Sequence, residues 1–244
     1  METHSRSSQP SRVDLVAAAS VHIFTAAGAV LALIGVRAVF LQRERDAFLA
    51  MLAASIIDAV DGVLARRARV REVLPSVDGA LLDNIVDYLT FVFLPMVLIV
   101  ETGGLPAGFE LAVAAVVLVS SAFGFAASDA KTVDHFFTGF PSYWNVVVLY
   151  LYVFHTSAAL NATILIVLSA LVFVRVKYVY PTRTPRLRQL TLTLAWAWAL
   201  ALALLIWLLP APPRWLAIVS LGFPVYYTVL SFVLNARARQ APVL

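Results

Sequence analysis

The sequence predicts an all-α protein, a polytopic transmembrane helix bundle of about eight spans, on three observations. Hydrophobic residues make up 61% of the 244-residue chain against 13% charged, and the mean hydropathy of +0.88 lies far outside the range of water-soluble domains. The apolar residues fall in runs that approach the roughly 20 residues a membrane-crossing helix needs. The basic residues gather in alternate connections between those runs, the asymmetry that orients membrane helices.

In chain order, residues 1–12 are polar and read as a disordered or interfacial tail, with no cleavable signal peptide. Apolar runs follow at about 15–40, 47–65, 79–100, 109–128, 142–158, 160–179, 189–209 and 214–235. Turn signals punctuate them at Gly103-Gly104-Leu105-Pro106, Phe140-Pro141, Pro181 to Pro185 and Pro210 to Pro213. Only His155 to Asn161 divides the fifth run from the sixth, so the chain between 142 and 179 can be drawn in more than one way. No internal repeat or shift in composition marks a second unit, so 13–239 reads as one membrane-embedded catalytic domain and 240–244 as a C-terminal tail. Eight crossings place both termini on one side. That side collects Arg6, Arg12, Arg66, Arg67, Arg69, Arg71, Lys131, Arg175, Lys177, Arg183, Arg186, Arg188, Arg237 and Arg239, and leaves Arg37, Arg43, Arg45 and Arg214 for the other. The first side is therefore expected to be cytoplasmic. The net charge of +4 is mostly topological, and no nucleic-acid partner is expected. The chain has no cysteine, which excludes disulfides, thiolate metal sites and cysteine nucleophiles.

The chemistry concentrates in one stretch, where Asp58, Asp61, Gly62, Ala65 and Arg66 are followed by Gly79, Asp83 and Asp87. A carboxylate at mid-membrane costs roughly 2.5–3.5 kcal/mol, so four of them demand compensation, and a divalent cation supplies it. Helical spacing puts Asp58 and Asp61 on one face at i,i+3 and Asp83 and Asp87 on one face at i,i+4. The arginine-rich connection, ending in Leu74-Pro75, is long enough to return the second helix antiparallel to the first, so that the two pairs face each other. Hard oxygen ligands of this kind suit Mg²⁺ or Mn²⁺. Gly62 and Gly79 clear space for a nucleotide or a neighbouring backbone, and Arg66 presents a fork of donors suited to phosphate. The plain alternative is a solvated loop cluster in which the acids pair with Arg66, Arg67, Arg69 and Arg71. It suits Glu72 and Asp78 but not Asp83 and Asp87, which sit between Leu81 and Leu89 with no basic residue nearby.

This string resembles the signature of the CDP-alcohol phosphatidyltransferase family, D-x-x-D-G-x-x-A-R followed by G-x-x-x-D-x-x-x-D, at every defined position. The resemblance implies an integral membrane enzyme that passes a phosphatidyl or phosphoalcohol group from a CDP-linked donor to an alcohol and releases CMP. It implies two divalent cations, Mg²⁺ or Mn²⁺, held by Asp58, Asp61, Asp83 and Asp87, with Asp87 also the general base. It implies a CDP pocket lined by Asp61, Gly62, Ala65 and Arg66, to which Gly79 and Thr25 are added. A bacterial inner-membrane location and pairing into a homodimer through late helices go with it.

Further stretches resemble the bacterial phosphatidylcholine synthase branch of that family, which condenses CDP-diacylglycerol with free choline. They are Val21 to Ala26, Val70 to Pro75, Leu82 to Tyr88, Phe136 to Val147 and Tyr180 to Arg183. A quaternary ammonium cannot donate hydrogen bonds, so a choline site needs aromatic faces and a nearby negative charge. Candidates are Tyr88 and Phe91 beside Asp87, and Phe136, Phe137, Tyr143 and Trp144, with Asn145 and Ser142 to orient the hydroxyl and His22 as a further contact. An interfacial aromatic belt or plain packing explains the same rings. Serine, glycerol phosphate or inositol phosphate as acceptor, or CDP-choline as donor to diacylglycerol, are alternatives within the enzyme class. Outside it stands a cation-coupled transporter with acids as ion sites, against which the absence of repeated halves counts.

Overall fold

The computed structural model describes residues 10–127, 137–174, 177–178 and 188–240. Expectations for 1–9, Lys131, Phe136, Arg175, the Tyr180 to Arg186 turn and 241–244 lie outside the described residues, as do the side chains of Phe137, Lys177, Arg188, Arg237 and Arg239.

The chain opens with α1 (Arg12–Phe40), started by a capping box in which the Ser11 hydroxyl accepts from the Asp14 N–H and the Asp14 carboxylate accepts from the Ser11 N–H. Its antiparallel partner α2 (Glu44–Arg67) carries Glu44 and Asp46 in its first turn and Arg66 and Arg67 in its last, as the helix dipole favours. A single turn, α3 (Val70–Val73), is entered through left-handed Arg69 (φ 47°). Next comes α4 (Gly79–Asp87), whose N-cap Asp78 accepts from the N–H groups of Ala80 and Leu81 at 3.0 and 3.1 Å. The same helix widens into a π turn over Tyr88–Phe93 and resumes as α5 (Leu94–Glu101). Two local causes meet there. Pro95 has no N–H to give the carbonyl one turn back, and the Thr90 hydroxyl takes the Val86 carbonyl at 3.0 Å.

Beyond it lie α6 (Glu110–Ala126), α7 (Trp144–Val153), α8 (Ala158–Val172), α9 (Arg188–Trp207), α10 (Arg214–Ser220) and α11 (Gly222–Gln240). A two-residue antiparallel pairing of β1 (Phe137–Thr138) with β2 (Lys177–Tyr178) is the only strand structure among the described residues. Each of the eight apolar runs thus contains a helix among the described residues. Among the described residues five helical stretches are long and apolar enough to cross a membrane: Arg12–Phe40, Glu44–Arg67, Gly79–Glu101, Gln189–Trp207 and Arg214–Phe232. The other three, α6, α7 and α8, have 17, 10 and 15 residues, short of a full crossing on their own. The ambiguous stretch resolves into a turn after Val153. His155 is left-handed (φ 50°), the Thr156 hydroxyl donates to the Leu151 carbonyl at 3.1 Å, and the buried Asn161 amide donates to the Gly104 carbonyl at 2.8 Å.

Tyr152 lines one small cavity with Gly103, Gly104 and His155 and another with Gln42, Leu209 and Pro210. Four alternate turns therefore meet at one end of the bundle, as antiparallel traverses require. The main core runs through Phe48, Leu94, Met96, Leu98, Trp144, Leu165 and Leu205. A smaller cluster of Ala18, Val70 and Val73, with Val21 and Ala65 against it, closes the opposite end under α3.

The buried face of α1 is made of small residues, Thr25, Gly28, Ala32 and Gly35. A Cβ at Gly28 would stand 2.5 Å from Val86 Cγ1, and one at Gly35 would overlap the Leu94 side chain. Small residues let helix backbones approach where lipid leaves no hydrophobic drive between them. Alanine in place of glycine gains about 1 kcal/mol in an ordinary helix interior, but overpacking costs about 1–3 kcal/mol. Gly28→Ala is therefore expected to lower the thermal unfolding midpoint of the detergent-solubilised protein, and Val86→Ala to restore it in the double variant. A Gly28→Ala protein as stable as the parent would mean the helices do not meet in this register.

Candidate active site

α2 and α4 carry the acids to one place. Asp58 from α2 and Asp83 and Asp87 from α4 are half-buried, and each offers a carboxylate oxygen within 4.8 Å of the other two. The i,i+4 spacing aligns Asp83 with Asp87 on α4, and the turn through Arg69, α3 and Asp78 brings them against Asp58. Three negative charges this close, partly removed from water, repel one another. A divalent cation with bonds of roughly 2.1 Å places neighbouring oxygens about 3.0 Å and opposite ones about 4.2 Å apart, so the group fits a hard cation with small side-chain adjustments.

Asp61, the fourth acid of the expected set, lies outside that group of three. It is 7% exposed and its Oδ2 accepts a 2.8 Å hydrogen bond from the hydroxyl of Thr25 on α1, itself 6% exposed. Arg66 is exposed and folds back, its Nη1 3.4 Å from where a Cβ would stand on Gly62. Ala65 packs on the small cluster beneath α3. Gly79 is pressed against the His22 ring, whose Cε1 would lie 3.0 Å from a Cβ there. His22 is buried, and its Nε2 has no hydrogen-bond partner. Glu72 forms an exposed 3.9 Å pair with Arg69 and Asp78 caps α4, so these two acids follow the plain loop reading.

The aromatic candidates separate by burial. Phe91 is buried with its ring edge-on to exposed Tyr143, centroids 6.4 Å apart. Tyr88 donates its hydroxyl to the Leu118 carbonyl at 3.0 Å and meets Phe125 edge-on. Trp144 departs from expectation. It is fully buried, edge-on to Phe140, and its indole N–H donates to Ser121 at 2.7 Å, which makes it a packing residue with no open face. Ser142, left-handed (φ 54°), donates to the same Ser121 oxygen at 3.3 Å. The Asn145 amide donates to Ser55 at 3.3 Å, one turn before Asp58, while its oxygen accepts from the Val146 N–H.

Three contributors escaped the sequence reading. Asn84, between two of the acids, donates to the Phe125 carbonyl at 3.3 Å and ties α4 to the end of α6. Ser55 and Ser121 receive the groups just described. The available signal was a polar residue inside an apolar run, which in a membrane helix calls for a partner.

Comparison with known proteins gives a consistent result. The chain is 57% identical over 129 residues to the phosphatidylcholine synthase of Legionella bozemanae, covering 52% of this chain and 59% of that protein. It is 46% identical over 164 residues to the phosphatidylcholine synthase of Legionella pneumophila, covering 67% of this chain and 64% of the relative. These alignments span about three-fifths of the length of the two Legionella proteins. A phosphatidylcholine synthase of Rhizobium meliloti aligns at 37% identity over 221 residues, 90% of this chain and 91% of that one. No protein-family model matches the chain.

If the three carboxylates act together on a cation, Asp58→Asn, Asp83→Asn and Asp87→Asn each weaken Mn²⁺ binding at least ten-fold in electron paramagnetic resonance titrations of the purified protein, whereas Glu72→Gln leaves it unchanged. Equal binding by all four variants would place the cation elsewhere.

Proposed function

The chain belongs to the phosphatidylcholine synthase family, and from that premise we propose that it transfers the phosphatidyl group of CDP-diacylglycerol to the hydroxyl of choline, giving phosphatidylcholine and CMP. The observation that carries the reading is the meeting of Asp58, Asp83 and Asp87 from two helices inside an otherwise apolar bundle. A site that must hold a diphosphate and a metal beside lipid tails needs such a group, and a structural role for three clustered acids in a membrane helix pair is costly.

In this mechanism Asp58, Asp83 and Asp87, joined by Asp61, would hold Mg²⁺ or Mn²⁺. The cations, when bound, neutralise charge developing on the diphosphate and on departing CMP. Arg66, folded over side-chain-free Gly62, offers two parallel donors to a phosphate of the nucleotide. Gly79 and Thr25 border the same space from the other side. Asp87 takes the proton of the choline hydroxyl. The choline oxygen forms its bond to the phosphorus that bears diacylglycerol, and the bond from that phosphorus to the oxygen of CMP breaks. The π turn starting at Tyr88 directs the side chains after Asp87 towards α7, where the Phe91 and Tyr143 rings meet edge to face. The exposed Tyr143 ring, backed by buried Phe91 and with Tyr88 next to Asp87 in the chain, suits a quaternary ammonium.

The protein accordingly works as a multi-pass enzyme of a bacterial cytoplasmic membrane. The three shorter helices complete eight traverses and the acidic end faces the cytoplasm, where choline and the nucleotide are found. The basic residues Arg66, Arg67, Arg69 and Arg71 at that end support this orientation.

Purified protein given CDP-diacylglycerol with labelled choline, serine or glycerol phosphate should form labelled lipid with choline alone, and a chelator should abolish it. Asp87→Asn is expected to lower turnover at least a thousand-fold while CDP-diacylglycerol binding changes little. Product from serine or glycerol phosphate instead of choline overturns the acceptor, and product unaffected by chelation overturns the metal.

A further inference from the structure

The Asp61 carboxylate is engaged in a way that neither the acidic pattern nor the proposed chemistry requires. Its Oδ2 lies 2.8 Å from Thr25 Oγ1, which also stands 3.3 Å from the Val21 carbonyl. A threonine hydroxyl has one hydrogen to give, and the shorter, charge-assisted contact with Asp61 takes it. Both side chains are more than nine-tenths buried, so water does not compete and the bond is stronger than it would be at a surface. Asp58 and Asp61 share a face of α2, yet Asp58 joins Asp83 and Asp87 while Asp61 turns to α1.

Resting on the reading of these acids as a cation site, we propose that Thr25 is a positioning residue that holds Asp61 out of the acidic group until the nucleotide-linked lipid arrives. The protein without donor then presents one complete ligand set, made by Asp58, Asp83 and Asp87. A second cation is disfavoured because taking Asp61 as a ligand breaks a buried hydrogen bond. The donor's diphosphate brings the additional oxygens that offset this loss. Metal loading is thereby ordered, with one cation resident and the second arriving with the donor. A protein lying idle in the membrane does not complete its reactive centre.

The test is Mn²⁺ binding to purified protein by isothermal titration and electron paramagnetic resonance, with and without CDP-diacylglycerol and with no choline. The parent protein is expected to bind one Mn²⁺ alone and two with the lipid. Thr25→Val keeps the shape and loses the hydroxyl, and should bind the second Mn²⁺ without lipid about ten-fold or more tightly than the parent. Thr25→Ser keeps the hydroxyl and should behave as the parent does. A second-ion affinity in Thr25→Val equal to that of the parent overturns the role of Thr25 and leaves the cation site standing. Two ions in the parent protein regardless of lipid do the same, and this arm decides even if the valine variant fails to fold. No Mn²⁺ binding by any of the proteins removes the cation site and this inference together.

Discussion

Three carboxylates held within 4.8 Å of one another in a bundle of apolar helices are the constraint on which the rest depends. Without a cation their repulsion acts to push α2 and α4 apart, and little in a lipid-facing sequence pulls them together. The opposing hold comes from packing elsewhere. Gly28 and Gly35 let α1 lie against Val86 and Leu94, one residue before Asp87 and seven after it. The same α1 meets α2 through the Thr25–Asp61 hydrogen bond. One helix thus helps to set the distance between the two acid-bearing helices.

The two ends of the bundle divide the work. At one, buried Asn161 and left-handed His155 make a hydrogen-bonded turn region that stands on the fully buried side chains of Phe48, Leu98 and Leu205 beside two small cavities. At the other, the apolar cluster is only Ala18, Val70 and Val73 with a few half-buried neighbours, and Arg66, Arg67, Arg69 and Arg71 stand exposed. The hydrogen-bonded turns hold the helices in register at the end away from the acids, and the less packed end is the one at which Asp58, Asp83 and Asp87 meet.

Much of this was legible in the sequence. The eight apolar runs became helices because hydrophobic length is a direct requirement of the bilayer, and the meeting of Asp58 with Asp83 and Asp87 followed from helical spacing plus a long enough turn. What escaped depended on tertiary detail. The i,i+3 relation of Asp58 and Asp61 fixes a shared face but not a rotamer, so spacing alone did not reveal that Asp61 would turn to Thr25. Trp144 reads in the sequence as a choline contact, a belt residue or plain packing, and only the fold shows it buried, with Ser121 on another helix accepting from its indole N–H. The lengths of α7 and α8 were hidden because His155 and Asn161 are unremarkable as isolated letters. The turn between the two helices is held by Thr156, whose hydroxyl donates back to the Leu151 carbonyl, and by Asn161, whose amide reaches across the fold to the Gly104 carbonyl.

The π turn that begins at Tyr88 joins the acid-bearing part of the helix to the part that packs on α1. A regular α-helix from Gly79 to Glu101 would continue the face of Asp83 and Asp87 through the residues that follow at the same spacing. Inserting the wider turn between Asp87 and Leu94 shifts that register. It brings Phe91 to a buried position beside Tyr143 while Leu94 still packs on Gly35. The irregularity lies immediately after the last acid, and its causes, Thr90 and Pro95, are local. The helix can therefore serve two surfaces that a uniform period would not satisfy together: a polar one facing Asp58 and an apolar one locked onto α1. The break turns Phe91 towards Tyr143 without moving the seam that holds the same helix on α1.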